Sequence, residues 1–562
     1  MSLTRRLKRL LGLVAVLALF VSACGDDDDG GAAPEDGSTT SEAATTTVPP
    51  RSGGTVTFGS FVPLGGFDPA AQSRGTFGCC GGTELLAMYD LLVTFNAETG
   101  EYEGRIAESL EPNADFTEWT LKLRPGVKFA DGTDLDAEAV IFNVERHRAP
   151  SATSAAKPIL TRFLDTMTAV DETTVLFELK EAWSGFPTLL AREVGMIASP
   201  AAVQAAGQNF ATAPGPAGAG PFMLSSFKPG ESIELVKNPN YWGGEVYLDG
   251  LRFVQLGSEA NTYEALKAGD VQAMYTRNPE VIATARDEGT PDLFLTNNPM
   301  SIGVVFNSGV AVTCSGGEPA VHCAGRPDGA TVTSQPATAD LTVRQAIAAA
   351  IDPNVINERV FNGKAEATTE LFPDVFPWSP GVPGPTYDPE RATQLVEQAK
   401  ARGWDGSVNV RVPNTLQEMG VALQTMLELA GISVELSNQE DTNALVSAVL
   451  LRKDFEMAQW SLGLSDEMAN NYAQLSISFQ GAQTRYGYSS PELDAALEEL
   501  RVAATIEEQE EAMRKATEVL MRDLPFLSFA VGEEVIIHSE DLHGIESLGH
   551  SRVSFAKAFL AR

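Results

Sequence analysis

Leu121-Lys122-Leu123-Arg124-Pro125-Gly126-Val127-Lys128-Phe129-Ala130-Asp131-Gly132-Thr133, running on into Asp136-Ala137-Glu138-Ala139-Val140-Ile141-Phe142-Asn143, is the stretch whose reading decides the fold. Trp119, Leu121 and Leu123 alternate with Thr120 and Lys122, the period of two expected of a strand with one buried face. Arg124-Pro125-Gly126 then predicts a turn, because proline fixes one φ and glycine accepts a positive one. Asp131-Gly132-Thr133 leads to a helix start capped by Asp134 or Asp136. Ala137, Val140, Ile141 and Val144 fall at i, i+3, i+4 and i+7, one face of that helix.

The same alternation of periods extends in both directions. Val175, Phe177 and Leu179 repeat the strand pattern. Val343, Ala346, Ile347, Ala350 and Ile351 form an apolar helical stripe closed by Asp352-Pro353. Ser490-Pro491 opens a helix with proline at its first position, followed by Leu493, Ala496, Leu497 and Leu500. Met513, Ala516, Leu520 and Leu524 continue until Pro525. No repeat of 20 to 50 residues is evident, which excludes solenoids and propellers. The class is α/β, and the length calls for two or three domains.

In this order the motifs resemble extracellular solute-binding protein family 5, the dipeptide, oligopeptide and nickel receptors of bacterial ABC importers. The opening stretch carries the resemblance together with Gly218-Ala219-Gly220-Pro221-Phe222, Lys228-Pro229-Gly230-Glu231-Ser232, Asn238-Pro239-Asn240-Tyr241-Trp242, Ala265 to Val271, Phe306-Asn307, Val343-Arg344-Gln345-Ala346-Ile347, Tyr488 to Asp494 and Asp523-Leu524-Pro525-Phe526. The resemblance implies a type II periplasmic-binding-protein fold, two hinged α/β lobes plus an additional α+β domain. It places residues 54–82, 217–300 and 526–562 in lobe I, 83–216 in the extra domain and 301–525 in lobe II. It implies a receptor that closes on a small solute, a peptide or peptide-like molecule, and hands it to permease subunits in the membrane, acting as a monomer without a cofactor. Nickel complexes, oligosaccharides and opines stay open, as does a surface sensor or adhesin on the same fold.

Ligand contacts are expected from loops at the mouths of the lobes: Phe61, the Phe77 to Cys80 loop with Cys79, Phe306, Asn307, Trp460 with Leu462 and the loop to Asp466, and Tyr486. Aromatic faces suit a solute, and Trp and Tyr add a polar handle. In peptide receptors of the family an acid a few residues after a Trp anchors the α-amino group. Gly463 stands at the corresponding position in Trp460-Ser461-Leu462-Gly463-Leu464-Ser465-Asp466-Glu467, with Asp466 three residues on.

The N-terminus reads as an export signal. Arg5, Arg6, Lys8 and Arg9 precede an uncharged apolar run from Leu10 to Ala23, too short for the roughly 20 residues of a membrane-spanning helix. Val21-Ser22-Ala23-Cys24 resembles the bacterial lipoprotein box, which makes 1–23 a signal peptide and Cys24 a lipidation site. This places the protein outside the cytoplasm, lipid-anchored to the cell membrane. Residues 24–52, rich in Asp, Gly, Ser, Thr and Pro, form a disordered tether. A net charge of −35 argues against nucleic acid as a partner.

With Cys24 acylated, four cysteines remain. Cys314 and Cys323 lie close together in a Gly/Pro-rich segment and predict a local disulfide. Cys79 and Cys80 are adjacent, either a strained vicinal disulfide or two thiols in a cleft wall. No His-Glu-x-x-His, Gly-x-Ser-x-Gly or Walker loop occurs, so neither an enzyme nor a metal site is expected; a surface hydrolase is the weaker alternative.

Overall fold

In the computed structural model, the described residues are 48–561 except 61, 63, 74, 295–299, 315–320, 482 and 483. The signal peptide, Cys24, most of the tether and Phe61 lie outside them.

Two mixed sheets carry the lobes. The first has seven strands in the order Asp292–Phe294, Val535–His538, Ala273–Thr276, Thr55–Gly59, Gly250–Val254, Ser232–Lys237 and Phe222–Lys228. Thr55–Gly59 runs parallel to both its neighbours and the remaining pairs are antiparallel. The second has six strands, Glu366–Ala367, Phe526–Gly532, Met300–Phe306, Met457–Gly463, Ser407–Arg411 and Ser433–Ser437.

Phe526–Gly532 corrects the division read from the sequence, which gave 526–562 to the first lobe. Every residue of this strand is buried, and it pairs antiparallel with Met300–Phe306, Leu527 opposite Val304. An apolar strand of this kind is stable only inside a sheet covered on both faces, so the crossover to the first lobe falls at Glu533-Glu534, just before Val535.

The extra domain holds a four-stranded antiparallel sheet, Ala107–Pro112, Glu118–Leu123, Thr174–Leu179 and Leu164–Ala169. Trp119, Leu121 and Leu123 are its buried face, as the alternation requires. The turn has Gly126 at φ 75°, and the helix Ala137–Arg148 follows, capped by Asp136, whose side chain accepts from the Ala139 amide at 2.8 Å. Asp134 instead pairs with Lys128. The ends of the 83–216 assignment belong elsewhere: Leu85, Met88 and Tyr89 of the helix Gly82–Tyr89, with Met196, Ala198 and Phe210, pack into the core of the first lobe beside Val56, Phe58 and Leu251.

A single hydrophobic cluster joins the extra domain to the second lobe. Phe163 stacks on Trp183 at 4.7 Å, and Tyr472 of the helix Met468–Phe479 packs against both. A buried aromatic of this size contributes about 2–3 kcal/mol. The helices of the second lobe therefore rest on two supports, their own sheet and the extra domain.

Candidate functional site: the junction of the lobes

The strand Met457–Gly463 ends where the second lobe meets the other two bodies. Trp460, paired with Gly303, is half-buried and meets the Tyr486 ring edge-on at 6.4 Å. A side chain built at Gly463 would find nothing within 4 Å, so open space borders the strand's end. Beyond it the chain is pinned: Asn471 donates to the Ser465 carbonyl at 2.7 Å and accepts from the Ser465 amide at 2.9 Å. The Trp378 indole donates to the Asp466 carbonyl at 2.8 Å.

That support fixes the backbone of Asp466 but leaves its carboxylate without a counter-charge. The residue is 9% exposed, Oδ1 is buried with no partner, and burial pushes its pKa up to about 7. A carboxylate in this state favours any cation that reaches it, because pairing restores the solvation it has lost.

Glu467 is placed differently. Its Oε1 accepts from the Tyr102 hydroxyl of the extra domain, and its Oε2 lies 3.0 Å from Nε2 of His550 in the C-terminal segment, close but off the line of a hydrogen bond. Arg192 donates to Asn470 at 3.1 Å, and its guanidinium lies over the Phe77 ring at 4.7 Å. Phe77 in turn meets His550 edge-on at 5.8 Å. Phe77 thus reaches the junction.

Cys79 and Cys80 sit on the short turn Gly78–Cys80 as thiols. The hydrogen bond to Cys80 and then burial push the Cys79 thiol well up, which makes it a poor nucleophile. Gly78 is required there, since a Cβ would stand 1.6 Å from the Ser551 carbonyl. Nearby, Glu534 accepts from Tyr275 at 2.5 Å and from Ser551, and burial raises its pKa. Glu534 also borders a cavity of about 280 Å³ between the helix Pro279–Asp287 of the first lobe and Glu366, Val375 and Gly532 of the second. Burial, then Glu533 and Asp374, raise the pKa of Glu366; burial, then Asp374 and Glu366, raise that of Glu370. Arg286 and Lys364 line the same cavity, and Arg286 pairs with Glu533 at 2.7 Å, so this flank of the junction is mixed in charge.

Three expected contacts turn inward. Phe306 is fully buried in the core of the second lobe with Val304 and Ile347. Asn307 is also fully buried: its Nδ2 donates to the Phe455 carbonyl at 3.0 Å and its Oδ1 accepts from the Gly309 and Val310 amides. Tyr486 is fully buried against Phe479. All three are scaffold. Leu462, 5% exposed, belongs to the core as well. Tyr102, Arg192, Trp378, Glu534 and His550 enter the junction without a local sequence motif, because all five come from segments distant in sequence from the Trp460 loop, spread over three bodies. Among the described residues no group of three His, Cys, Asp or Glu side chains stands where it could hold a metal, and no helix is long and apolar enough to cross a membrane.

The family profile of the bacterial extracellular solute-binding proteins, family 5, matches residues 101–483. The chain belongs to this family. Members are extracytoplasmic receptors of ABC importers, and the two-lobed body described above is the binding module of such a receptor. This receptor is 23% identical over 475 residues to the glutathione-binding protein GsiB of Escherichia coli O1:K1 / APEC, an alignment covering 81% of this chain and 85% of that one. Its fold is similar to that of DppA from Helicobacter pylori in complex with the peptide STSA, with a TM-score of 0.74, 22% identity and 91% and 99% of the two chains covered. It is also similar to the oligopeptide-binding protein AppA from Bacillus subtilis in complex with a nonapeptide, with a TM-score of 0.73, 18% identity and 92% and 100% covered.

Proposed function

We propose that this receptor captures a small solute carrying a protonated amino group, a peptide or peptide-like molecule, and presents it to permease subunits while Cys24 holds it to the membrane by lipid. The observation that carries the reading is Asp466, a nearly buried carboxylate with an unpartnered oxygen, at the end of the strand that bears Trp460. Glutathione and peptides are the ligands in the names of the similar proteins, and glutathione shares an amino group with any peptide whose N-terminus is free. The role proposed is binding, in keeping with a Cys79 thiol that Cys80 and burial hold protonated.

Thermal-shift titration of the purified protein tests the reading with paired probes, tri- and tetrapeptides with free and with N-acetylated amino termini. A ligand at 100 times its Kd stabilises by about 2.7 kcal/mol. Free-amine peptides should shift the transition and acetylated ones should not. Equal shifts from both, or an Asp466→Asn protein that keeps the preference, would remove Asp466 from the site.

A further inference from the structure

The C-terminal segment turns back toward the other bodies through an unusual backbone. His550 and Ser551 have φ of 52° and 59°, the left-handed region that residues other than glycine seldom enter. Two such residues in succession store strain that the surroundings must hold. The His550 carbonyl accepts from the Gly78 amide at 3.0 Å, and the Ser551 hydroxyl donates to Glu534. The result is an imidazole aimed out of the first lobe at Glu467 of the second. Glu467 and His550 are each 2% exposed, and the other oxygen of Glu467 is taken by Tyr102. The tail is also tied to the extra domain, Arg552 donating to the Ala191 carbonyl at 2.7 Å. Glu467 of the second lobe therefore takes a hydrogen bond from Tyr102 of the extra domain and faces a buried imidazole of the first lobe, 3.0 Å away but not bonded to it; parting of the first and second lobes would return that imidazole to water.

We propose that Glu467, Tyr102 and His550 form a buried bolt that stabilises the closed arrangement of the receptor and loosens as the pH falls. It rests on the reading of the protein as a receptor whose lobes close, and it names the contact that closure makes.

The sign follows from the groups around the imidazole. Arg192 and Glu193 face it from the extra domain, Arg552 from the tail and Glu467 from the second lobe; Arg105 lies beside Arg552 and His147 beside Glu193. Burial, reinforced by Arg552 and Arg192, outweighs Glu467, and the pKa of His550 is driven below its ordinary value. Once the lobes part, the ring regains water and titrates near about 6.5. Below that pH the open form binds more protons than the closed one, so closure weakens with acidification.

Amide hydrogen exchange on the full chain in detergent, without any added solute, tests the bolt. Between pH 7.5 and 5.5, after correction for the intrinsic rate, exchange in 547–552, away from the opposing titration of Asp466, should rise by up to about tenfold per pH unit. His550→Gln should abolish that slope. Tyr102→Phe should raise exchange in 464–472 and 547–552 at every pH. The strand Met300–Phe306 should stay protected throughout. A pH-independent wild type, a His550→Gln protein with the same slope, or parallel loss of protection in Met300–Phe306, which would signal global unfolding, overturns the proposal. Failure of every peptide probe would defeat the ligand reading and leave this experiment decisive on its own.

Discussion

Trp378 reaches across the second lobe to the backbone of Asp466, its indole Nε1 2.8 Å from the carbonyl oxygen. Trp378 itself is wedged 5.0 Å from both Phe372 and Phe376. The aromatic cluster thus fixes the peptide that carries the acid and leaves the acid's Oδ1 unpaired. This is the pattern expected of a site that trades folding stability for a preorganised charge.

Asp466 therefore gives the empty receptor a pH dependence opposite to that of the bolt. Its pKa is raised from about 3.9 in the unfolded chain to about 7. The folded form retains a proton that the unfolded form has lost, so the destabilisation is absent below about pH 4, grows from there and is complete above about pH 7. Its size is on the order of 2–4 kcal/mol. Thermal unfolding between pH 4 and 8 should show this decline, and Asp466→Asn should flatten it and melt higher than wild type at pH 8. A variant no more stable at pH 8 would show that the carboxylate has a partner after all.

Trp460 is half-buried, with one edge on Tyr486. Loss of a large aromatic from a desolvated ligand contact costs more than about 1 kcal/mol in affinity. Trp460→Ala should weaken the best free-amine peptide at least several-fold by calorimetry, with little change in the melting temperature of the empty protein. Unchanged affinity, or a variant that unfolds, would assign the ring to the core.

Cys314 and Cys323 are joined by a disulfide, and with Val310 and Val312 they form a small cluster separate from the main cores. Closing so short a loop stabilises by roughly 2–3 kcal/mol. Cys314→Ala/Cys323→Ala should raise hydrogen exchange in Ala311–Thr313 and Thr331–Thr333 and leave the main calorimetric transition within a few degrees. Recovery of both cysteines as thiols from freshly exported protein would reject the bridge.

The proposed lipid anchor rests on Cys24, which lies outside the described residues. Cys24→Ala should move the protein from the detergent phase to the aqueous phase or leave it unprocessed. An unchanged membrane fraction with an unchanged mature mass would sink the lipid anchor.

Much of the scaffold was legible in the residues because its signals are local. The alternation at Trp119, Leu121 and Leu123 produced a strand with that buried face, the Pro125-Gly126 turn has the positive φ glycine permits, and Asp136 caps the helix it precedes. The site was legible only in part. Phe77 and Asp466 reach the junction, whereas Phe306, Asn307 and Tyr486 are sealed inside the second lobe. An aromatic or an amide at a strand end looks the same in sequence whether it faces a solute or a core.

What the sequence by itself determined was the set of elements, their order and the family they compose, since helix and strand periods, caps and turns depend on residues within a few positions of one another. Tertiary structure alone decided that Phe526–Gly532 crosses into the second sheet, that Asp466 stands without a counter-charge, and that Glu467 meets Tyr102 and His550. Each depends on groups far apart in the chain or on the amount of water excluded from one carboxylate. Pairing partners and desolvation are properties of the assembled core, and no local pattern encodes them.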